Sequence, residues 1–169
     1  IPIVFHIIHN GEAVGTGTNV SDALVMYQLQ RLNDDFRKMN TDLLPVGHPF
    51  YSDQSDTEIE FCLAKQDDQG VTTTGITRHF IANSGFTIAN IDANVKPITI
   101  WDPSKYINFW CVDIVDPSAP GVDGYGTFPT STTATTDGVV VIPSSFGYVG
   151  GTGKSITATH ELGHYFNLI

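Results

Sequence analysis

The stretch ATHELGHY at residues 158–165 contains two histidines, His160 and His164, that are four positions apart. On an α-helix, side chains at this spacing lie one turn above each other on the same face. Two imidazoles placed in this way can bind one metal ion at ordinary Zn–N distances. The apolar residues Ile156 and Leu168 and a preceding glycine-rich segment favour a helix here. The spacing therefore predicts a helix that carries two ligands of a zinc site.

The residue after the first histidine is Glu161. In this pattern the glutamate is not a metal ligand but is angled toward the same helix face, where it can accept a proton from a water molecule on the metal. Because a metal and a carboxylate together activate water, they can support hydrolysis without a covalent intermediate. We therefore expect Glu161 to be the general base and proton shuttle of a hydrolase.

Two histidines leave a catalytic zinc site incomplete, since such sites usually have three protein ligands and one open position. In the extended motif a third histidine lies six residues after the second, which places it at position 170, just beyond Ile169. The glycine of that motif is replaced by Asn167. Asparagine tolerates the left-handed conformation better than most residues, so we expect a positive φ at Asn167.

The composition excludes several classes of protein. Acidic residues outnumber basic ones 18 to 8, which gives a net charge of −10, and the eight cations form no patch. Nucleic acids and anionic membrane surfaces are therefore not expected partners. No apolar run is long enough to span a membrane. The low content of Lys and Arg favours an extracellular protein, and the start at Ile1 indicates a processed or trimmed segment.

Hydrophobic periodicity predicts an α/β or α+β layer fold in one domain, residues 1–169. Residues 3–8 form a continuous apolar run typical of a buried strand. A helix is predicted to begin after Ser21, with an apolar stripe that ends at Met39, and Pro45 and Gly47 terminate the element. The other predicted strands are residues 57–64, 106–115, 125–128 and 139–142, and the last helix begins at about residue 154.

The chain as a whole resembles the catalytic domain of the pappalysin (cytophagalysin-like) metallopeptidases, a branch of the metzincins. The resemblance runs in order through most of the sequence, and is therefore more specific than the histidine motif alone. It is carried by residues 1–9 (IPIVFHIIH), 32–37 (LNDDFR), 59–64 (IEFCLA), 74–78 (TGITR), 101–103 (WDP), 106–111 (YINFWC), 124–129 (GYGTFP), 137–140 (DGVV) and 158–165 (ATHELGHY).

This resemblance implies the upper subdomain of a metzincin, with a twisted mixed five-stranded sheet, a backing helix and an active-site helix. It implies that the edge strand pairs with an extended protein or peptide substrate through the backbone of Tyr125, Gly126 and Thr127. It also implies a secreted endopeptidase made as a zymogen, with one catalytic zinc ion. The third ligand and a methionine-containing turn would lie in a lower half outside the chain, and we expect a monomer.

The same topology would place the first strand between the strands that contain Cys62 and Cys111. Two strand spacings are about 9.6 Å, which is beyond the usual reach of a disulfide, about 7 Å between Cα atoms. We therefore expect that these two cysteines do not bond to each other.

Three alternative functions remain open. A nucleotide-binding loop is suggested by Gly153-Lys154-Ser155, but Tyr148 occupies the position of the first glycine of that motif. A zincin of another class would use a glutamate farther downstream as its third ligand. An inactive relative could act as a binding module, although intact His160, Glu161 and His164 argue against it.

The remaining histidines and the loop carboxylates are less specific signals. His6 and His9 lie three apart in a strand and should point to opposite faces as ordinary hydrogen-bonded residues. His48 and His79 are expected on surface loops, and the two tryptophans are expected to be packing residues. Calcium binding by Asp67, Asp68 and Asp123 is conceivable for hard oxygen donors, but no EF-hand pattern is present.

Overall fold

The computed structural model describes residues 1–131, 133–147 and 156–168. The strands are β1 Pro2–His9, β2 Cys62–Leu63, β3 Ile76–Phe80, β4 Ile107–Cys111, β5 Gly124–Gly126 and β6 Val139–Val141. The helices are α1 Asp22–Phe36, α2 Ile88–Asn90, α3 Lys96–Thr99 and α4 Ile156–Tyr165, with a π-helical turn at Ile91–Val95 and 3₁₀ turns at Tyr51–Asp53 and Pro143–Ser145.

Strand β1 lies at the centre of the sheet. Its side chains from Ile3 to Ile8 are buried on both faces, as expected for a parallel strand that is covered by helices. It pairs in parallel with β4 on one side and with β2 and then β3 on the other. Because β2 and β3 lie end to end along the same edge of β1, the six strands fill five positions.

The complete strand order is β2-β1-β4-β6-β5, and β3 occupies the same side of β1 as β2. Strand β6 pairs in parallel with β4, whereas β5 runs antiparallel to β6 and forms the far edge. The predicted mixed sheet is therefore confirmed, with six strands in five positions where five strands were predicted.

Helix α1 covers one face of the sheet. The Ser21 side chain accepts a hydrogen bond from the backbone N–H of Leu24 and so caps the helix, as the sequence predicted. The stripe from Val25 to Phe36 is buried, but Met39 is 60% exposed and is not part of it. The predicted end at Pro45 was too late, because α1 stops at Phe36 and Lys38 adopts a positive φ.

The sheet separates two hydrophobic clusters. On one face, alternating residues of β1 pack with α1 and α4, where Ala158 and Leu162 are fully buried. On the opposite face, Trp110 and Val140 pack with Ile91 and Val95 of the π-helical turn. Helix α4 is thereby fixed against both α1 and the strands β5 and β6.

Other predictions from the sequence were less accurate. The predicted strands at 57–64 and 106–115 are shorter in the structure, and β3 was not predicted. His79 lies in β3, so its assignment to a surface loop was wrong. The start of the last helix near residue 154, the motif Gly153-Lys154-Ser155 and Tyr148 lie outside the described residues.

The two cysteines behave as the predicted topology requires. Cys62 in β2 and Cys111 in β4 flank the central strand β1, and both thiols are free. Cys111 is buried, and this burial raises the pKa of its thiol, whereas Cys62 is exposed. The predictions that the two do not pair and that β1 separates them are confirmed.

None of the helices in the described part of the chain has the length and hydropathy that a membrane crossing requires.

Candidate active site

The sequence-predicted histidine pair lies on the exposed side of α4. The ring centroids of His160 and His164 are 4.5 Å apart, and the planes are inclined by 80°. The His160 side chain is exposed and that of His164 is half-buried, because the ring of Phe128 packs over it at 4.9 Å between centroids. Helical spacing therefore brings the two imidazoles together at one surface, as predicted.

The orientation of His164 is set by a backbone carbonyl. Its Nδ1 lies 2.9 Å from the carbonyl oxygen of Leu168, which can only accept a hydrogen bond. This contact assigns the proton to Nδ1 and leaves the lone pair of Nε2 available. A histidine that donates one ring N–H to a carbonyl in this way is the usual arrangement of a metal ligand.

The carbonyl of Leu168 reaches His164 because the chain turns sharply after α4. Asn167 has a φ of 68°, which confirms the predicted left-handed conformation. The N–H of Leu168 bonds to the carbonyl of Gly163 and the N–H of Asn167 to that of His164, which is a Schellman motif. Asparagine thus performs the backbone role of the glycine that the extended histidine motif has at this position.

Glu161 lies on the inner side of α4, and only 9% of its surface is exposed. Burial raises the pKa of its carboxyl group, and the neighbouring His160 and His164 and a hydrogen bond from the backbone N–H of Gly126 act in the opposite direction. The carboxylate therefore sits between the histidine pair and the edge strand β5, where it can exchange a proton with a bound water.

Strand β5 approaches α4 closely because two of its residues have no side chain. A Cβ on Gly126 would lie 2.2 Å from the carbonyl oxygen of Glu161, and one on Gly124 would lie 3.2 Å from Cγ of Glu161. Both distances are shorter than real Cβ contacts normally are, so any side chain at these positions would push the strand and the helix apart. The side chain of Tyr125 points to the opposite face, where its hydroxyl donates to Asp92 at 2.8 Å.

The pairing of β5 with β6 determines which backbone groups face outward. The N–H of Thr127 bonds to the carbonyl of Gly138, and in antiparallel strands such hydrogen-bonded pairs alternate with non-bonded ones. Tyr125 and Thr127 therefore direct their N–H and C=O groups toward β6, and Gly124 and Gly126 direct theirs away from it. The role of Tyr125, Gly126 and Thr127 in substrate binding stays a prediction, and this pairing favours the backbone of Gly124 and Gly126 over that of Tyr125 and Thr127.

Two adjoining open clefts border the exposed histidine. One, of about 540 Å³, is lined by Asp123, Gly124, His160 and Glu161 among others, and the second, of about 290 Å³, lies along His160, His164 and Leu168.

The signal that could have identified Gly124 was the alternation Gly-Tyr-Gly, which assigns the two glycines to the same side of the strand.

The residues present fit a zinc site in part. His160 and His164 offer two imidazole nitrogens on one face, and the Schellman turn fixes the tautomer of the second. Within the described ranges there is no group of three His, Cys, Asp or Glu side chains that could hold a metal ion. The third ligand at position 170 stays a prediction.

The loop carboxylates considered for calcium are engaged by the protein itself. Asp67 accepts from the backbone of Gln69 and Val71, and Asp68 accepts from the backbone N–H of Asp102. Asp123 accepts from the hydroxyl of Ser145 at 3.0 Å. The described part of the chain thus gives the calcium expectation no support.

The other histidines make hydrogen bonds within the protein through their ring nitrogens. His6 is fully buried between Thr77 at 2.8 Å and Asn108 at 2.9 Å, as expected of a satisfied strand residue. Burial lowers its pKa to about 3, against a raising effect of the Asn108 hydrogen bond. His79 shares the hydroxyl of Thr77, whereas Nδ1 of His9 accepts from the backbone N–H of Gly11.

Trp101 and Trp110 serve in packing, as predicted. Trp110 is buried and stacks on His6 with the ring centroids 5.2 Å apart, and Trp101 packs edge-on against Tyr106 at 5.2 Å.

A mixed sheet whose antiparallel edge strand borders a His-Glu-x-x-His helix is an arrangement found in metallopeptidases, the metzincins among them. The family model for pregnancy-associated plasma protein-A, peptidase family M43, matches residues 90–169. The chain is also similar to mature mirolysin of Tannerella forsythia in complex with a cleaved peptide, with 36% identity over 99% of this chain and a TM-score of 0.85. The chain belongs to the pappalysin family of metallopeptidases.

Two further structures support this assignment. Mirolysin in complex with compound 9 has 36% identity and a TM-score of 0.84, and a point mutant of Tannerella forsythia promirolysin has 35% identity and a TM-score of 0.81, each over 99% of this chain. The chain spans 62% of the length of the first two structures and 55% of the third. The comparison with curated proteins gave no match.

Proposed function

We propose that this chain carries the metal-binding and water-activating residues of a secreted, zinc-dependent endopeptidase. The observation that carries the proposal is the state of the histidine pair. The rings of His160 and His164 lie together at an open cleft, and the Leu168 carbonyl leaves Nε2 of His164 free to bind.

His160 and His164 would hold the zinc ion, and the third protein ligand is proposed at position 170, with one position left open. When bound, zinc supplies Lewis acidity that polarises a peptide carbonyl and lowers the pKa of water. A zincin of another class with a downstream glutamate ligand would use the same two histidines, and the residue at position 170 separates these alternatives.

Glu161 would accept the proton of the attacking water and pass it to the nitrogen of the cleaved peptide bond. Its position supports this role, since it lies on the helix turn that carries both ligands and faces the cleft formed with Gly124. Because a carboxylate in a partly dry site holds a proton more readily than one in bulk water, it can both accept and return it.

An extended peptide would add to the outer edge of β5 by strand pairing. The groups available for this pairing are those that β6 does not use, namely the N–H and C=O of Gly124 and Gly126. The complex of mature mirolysin with a cleaved peptide supports a peptide as the substrate class.

We further propose that residues 1–169 form one domain, the N-terminal subdomain of a catalytic domain. Secretion is supported by the scarcity of Lys and Arg in the chain. One of the similar structures is that of promirolysin, a pro-form, which supports synthesis as a zymogen.

The experiment that tests this function replaces Glu161 in the intact protein. Glu161→Ala should retain one zinc ion per chain, because the ligands are untouched, and should lower kcat/KM on casein or a peptide by about 10²–10⁴-fold. Glu161→Gln is the matched control for volume and should be equally impaired. Activity within a few fold of the unmutated protein would contradict the assignment. If the unmutated protein binds peptides but does not cleave them, the binding-module alternative is favoured.

A further inference from the structure

The lysine of α3, Lys96, is completely buried, which is rare for this residue type. Burial lowers the pKa of its ammonium group, and Asp92 and Asp137 act in the opposite direction. A charged group is retained in such a place only when each of its donors has a partner. The partners of Lys96 therefore show what the lysine connects.

Lys96 contacts four parts of the chain. Its Nζ lies 2.8 Å from Oδ1 of Asp92 in the π-helical turn and 3.1 Å from the carbonyl oxygen of Thr136, in the segment that leads into β6. It also lies 4.5 Å from the ring centroid of Tyr125 in β5 and 5.3 Å from that of Trp110 in β4. Contacts of a cation with aromatic faces at these distances are attractive, and more so where water is excluded.

Asp92 contacts both Lys96 and Tyr125. Its Oδ1 accepts both the Lys96 ammonium and the hydroxyl of Tyr125. The carboxylate is placed there by the π-helical turn, a feature that occurs mostly as single turns and frequently at functional sites. The side chain of Tyr125 is thus held at its ring by Lys96 and at its hydroxyl by Asp92.

Strand β5 is therefore held from both faces. On one face, Gly124 and Gly126 lie against Glu161 with no room for a side chain, and on the other, Tyr125 is held by Lys96 and Asp92. Any shift of Tyr125 would move the two flanking glycines by a similar amount, because adjacent residues of a strand share rigid peptide planes.

We propose that Lys96 is a positioning residue that fixes the edge strand β5 at its distance from Glu161. The inference rests on the proposed function, since β5 is the strand to which a peptide would add. Lys96 does not touch the reacting atoms. It acts through Tyr125 on the outward backbone groups of Gly124 and Gly126, and through Thr136 on the return of the chain to β6.

The charge, and not only the volume, of Lys96 is required for this role. A methionine side chain would fill much of the same space, but it would leave the carbonyl of Thr136 and one acceptor position of Asp92 without a donor. Both acceptors belong to partly exposed residues, so water can reach them once the ammonium group is gone, and the groups that carry them can move. The expected consequence is a looser β5 in a domain whose α1 and β1 are unchanged.

The first test is amide hydrogen exchange on the intact protein with Lys96→Met. Peptides that cover residues 123–128 should exchange at least about tenfold faster, whereas those from α1 should be unchanged. The control is Lys105→Met, because Lys105 is exposed and its ion pair with Asp102, at 3.0 Å, lies away from β5. Unchanged exchange at β5 in Lys96→Met would overturn the proposal. This readout requires no peptidase activity, so it separates the failure of this inference from the failure of the proposed function.

The second test is kinetic and compares a long peptide, which can pair along β5, with a short one that cannot. Lys96→Met should raise KM for the long peptide about tenfold more than for the short one, with the zinc content and the pH profile of kcat unchanged. A uniform loss on both substrates would indicate general destabilisation and overturn the positioning role. Tyr125→Phe and Lys96→Met should be non-additive in a double-mutant cycle, because both act on one contact.

If Lys96→Met does not fold, Asp92→Asn and Tyr125→Phe leave the lysine in place and weaken the same contacts singly. Each should give a smaller rise in KM for the long peptide and faster exchange at residues 123–128. The absence of both effects in both variants would equally overturn the proposal.

Discussion

The protein contains two groups of neighbouring histidines that use their ring nitrogens differently. On the sheet, Nε2 of His79 contacts Oγ1 of Thr77, the Thr77 hydroxyl contacts Nδ1 of His6, and Nε2 of His6 contacts Asn108. On α4, His164 has one nitrogen on the Leu168 carbonyl and the other available, and His160 is exposed. We call the first group closed because both ring nitrogens of His6 are engaged within the protein, and the second group open because His160 is exposed to solvent.

This difference indicates how the proposed metal ligands differ from a packing histidine. The strand places alternate side chains on opposite faces, so a ring that points inward must find its partners in the neighbouring strands. The helix instead places residues four apart side by side on its exposed face, where no neighbouring strand uses the nitrogens. An imidazole whose nitrogens are not both consumed by the fold is the one that can bind a metal.

The largest expected effect is the loss of zinc when an open histidine is removed. His164→Ala should lower zinc affinity by more than the roughly 10–100-fold that loss of a partner outside the coordination shell costs, and peptidase activity should fall with it. Isothermal titration with zinc measures this directly. His6→Gln is the counterpart in the closed group and should leave zinc affinity unchanged. Equal losses in both variants would remove the distinction between the two groups.

A smaller effect is expected from acid on the closed group. The pKa of His6 is lowered from 6.5 to about 3, so the unfolded chain binds one more proton than the folded one between these values. The contribution of neutral His6 to the free energy of unfolding is therefore fully present above pH 6.5. It decreases as the pH falls through this window, by up to about 1.4 kcal/mol per pH unit. The pKa of His79 is also lowered, mainly by burial, and adds in the same direction.

The measurement is urea unfolding between pH 7 and pH 4. His6→Gln removes the titrating ring, and the difference between the two stability curves isolates its contribution from that of the carboxylates. Parallel curves for the variant and the unmutated protein would show that burial of His6 does not set the acid sensitivity.

The smallest effect is expected at the turn that orients His164. Asn167→Gly keeps the positive φ and should change the free energy of unfolding by less than about 0.5 kcal/mol. Asn167→Val should cost about 1–2 kcal/mol, because a β-branched residue is strained in this conformation. Thermal unfolding measures both. A weaker zinc affinity in the valine variant alone would show that the turn also fixes the ligand.

The sequence predicted the parts of the fold in which one face is strongly apolar. Strand β1, the first four turns of α1 and the pairing of His160 with His164 follow from hydrophobic or helical periodicity, which depends on local residues alone. Strand β3 is half-buried and contains Thr77, Arg78 and His79, so its pattern is weak. The segment from α2 to α3 contains Pro97, which cannot donate a helical hydrogen bond. Its presence argued against a helix, but the structure has a helix that continues past a π-helical turn.

The details of the site depend on register, which no local pattern determines. Tyr125, Gly126 and Thr127 were grouped together from the family resemblance, and only the pairing of β5 with β6 separates the residues whose backbone faces outward. Lys96 was likewise not identifiable, because its burial results from contacts with β4, β5 and the segment before β6, which are remote in the sequence.

The two glycines of β5 have a consequence for how peptide selectivity can change. Neither Gly124 nor Gly126 accepts a side chain, and the side chain of Tyr125 is directed into the opposite layer, so under the proposed pairing β5 would offer a peptide only its main chain. Main-chain hydrogen bonds are the same for every peptide except at proline. A strand of this kind selects for peptides that are long and extended, but it does not distinguish between their side chains. Randomising residues 124–126 would therefore yield few folded variants and no new preferences, and a change of preferred cleavage sequence has to come from residues on other elements that border the cleft.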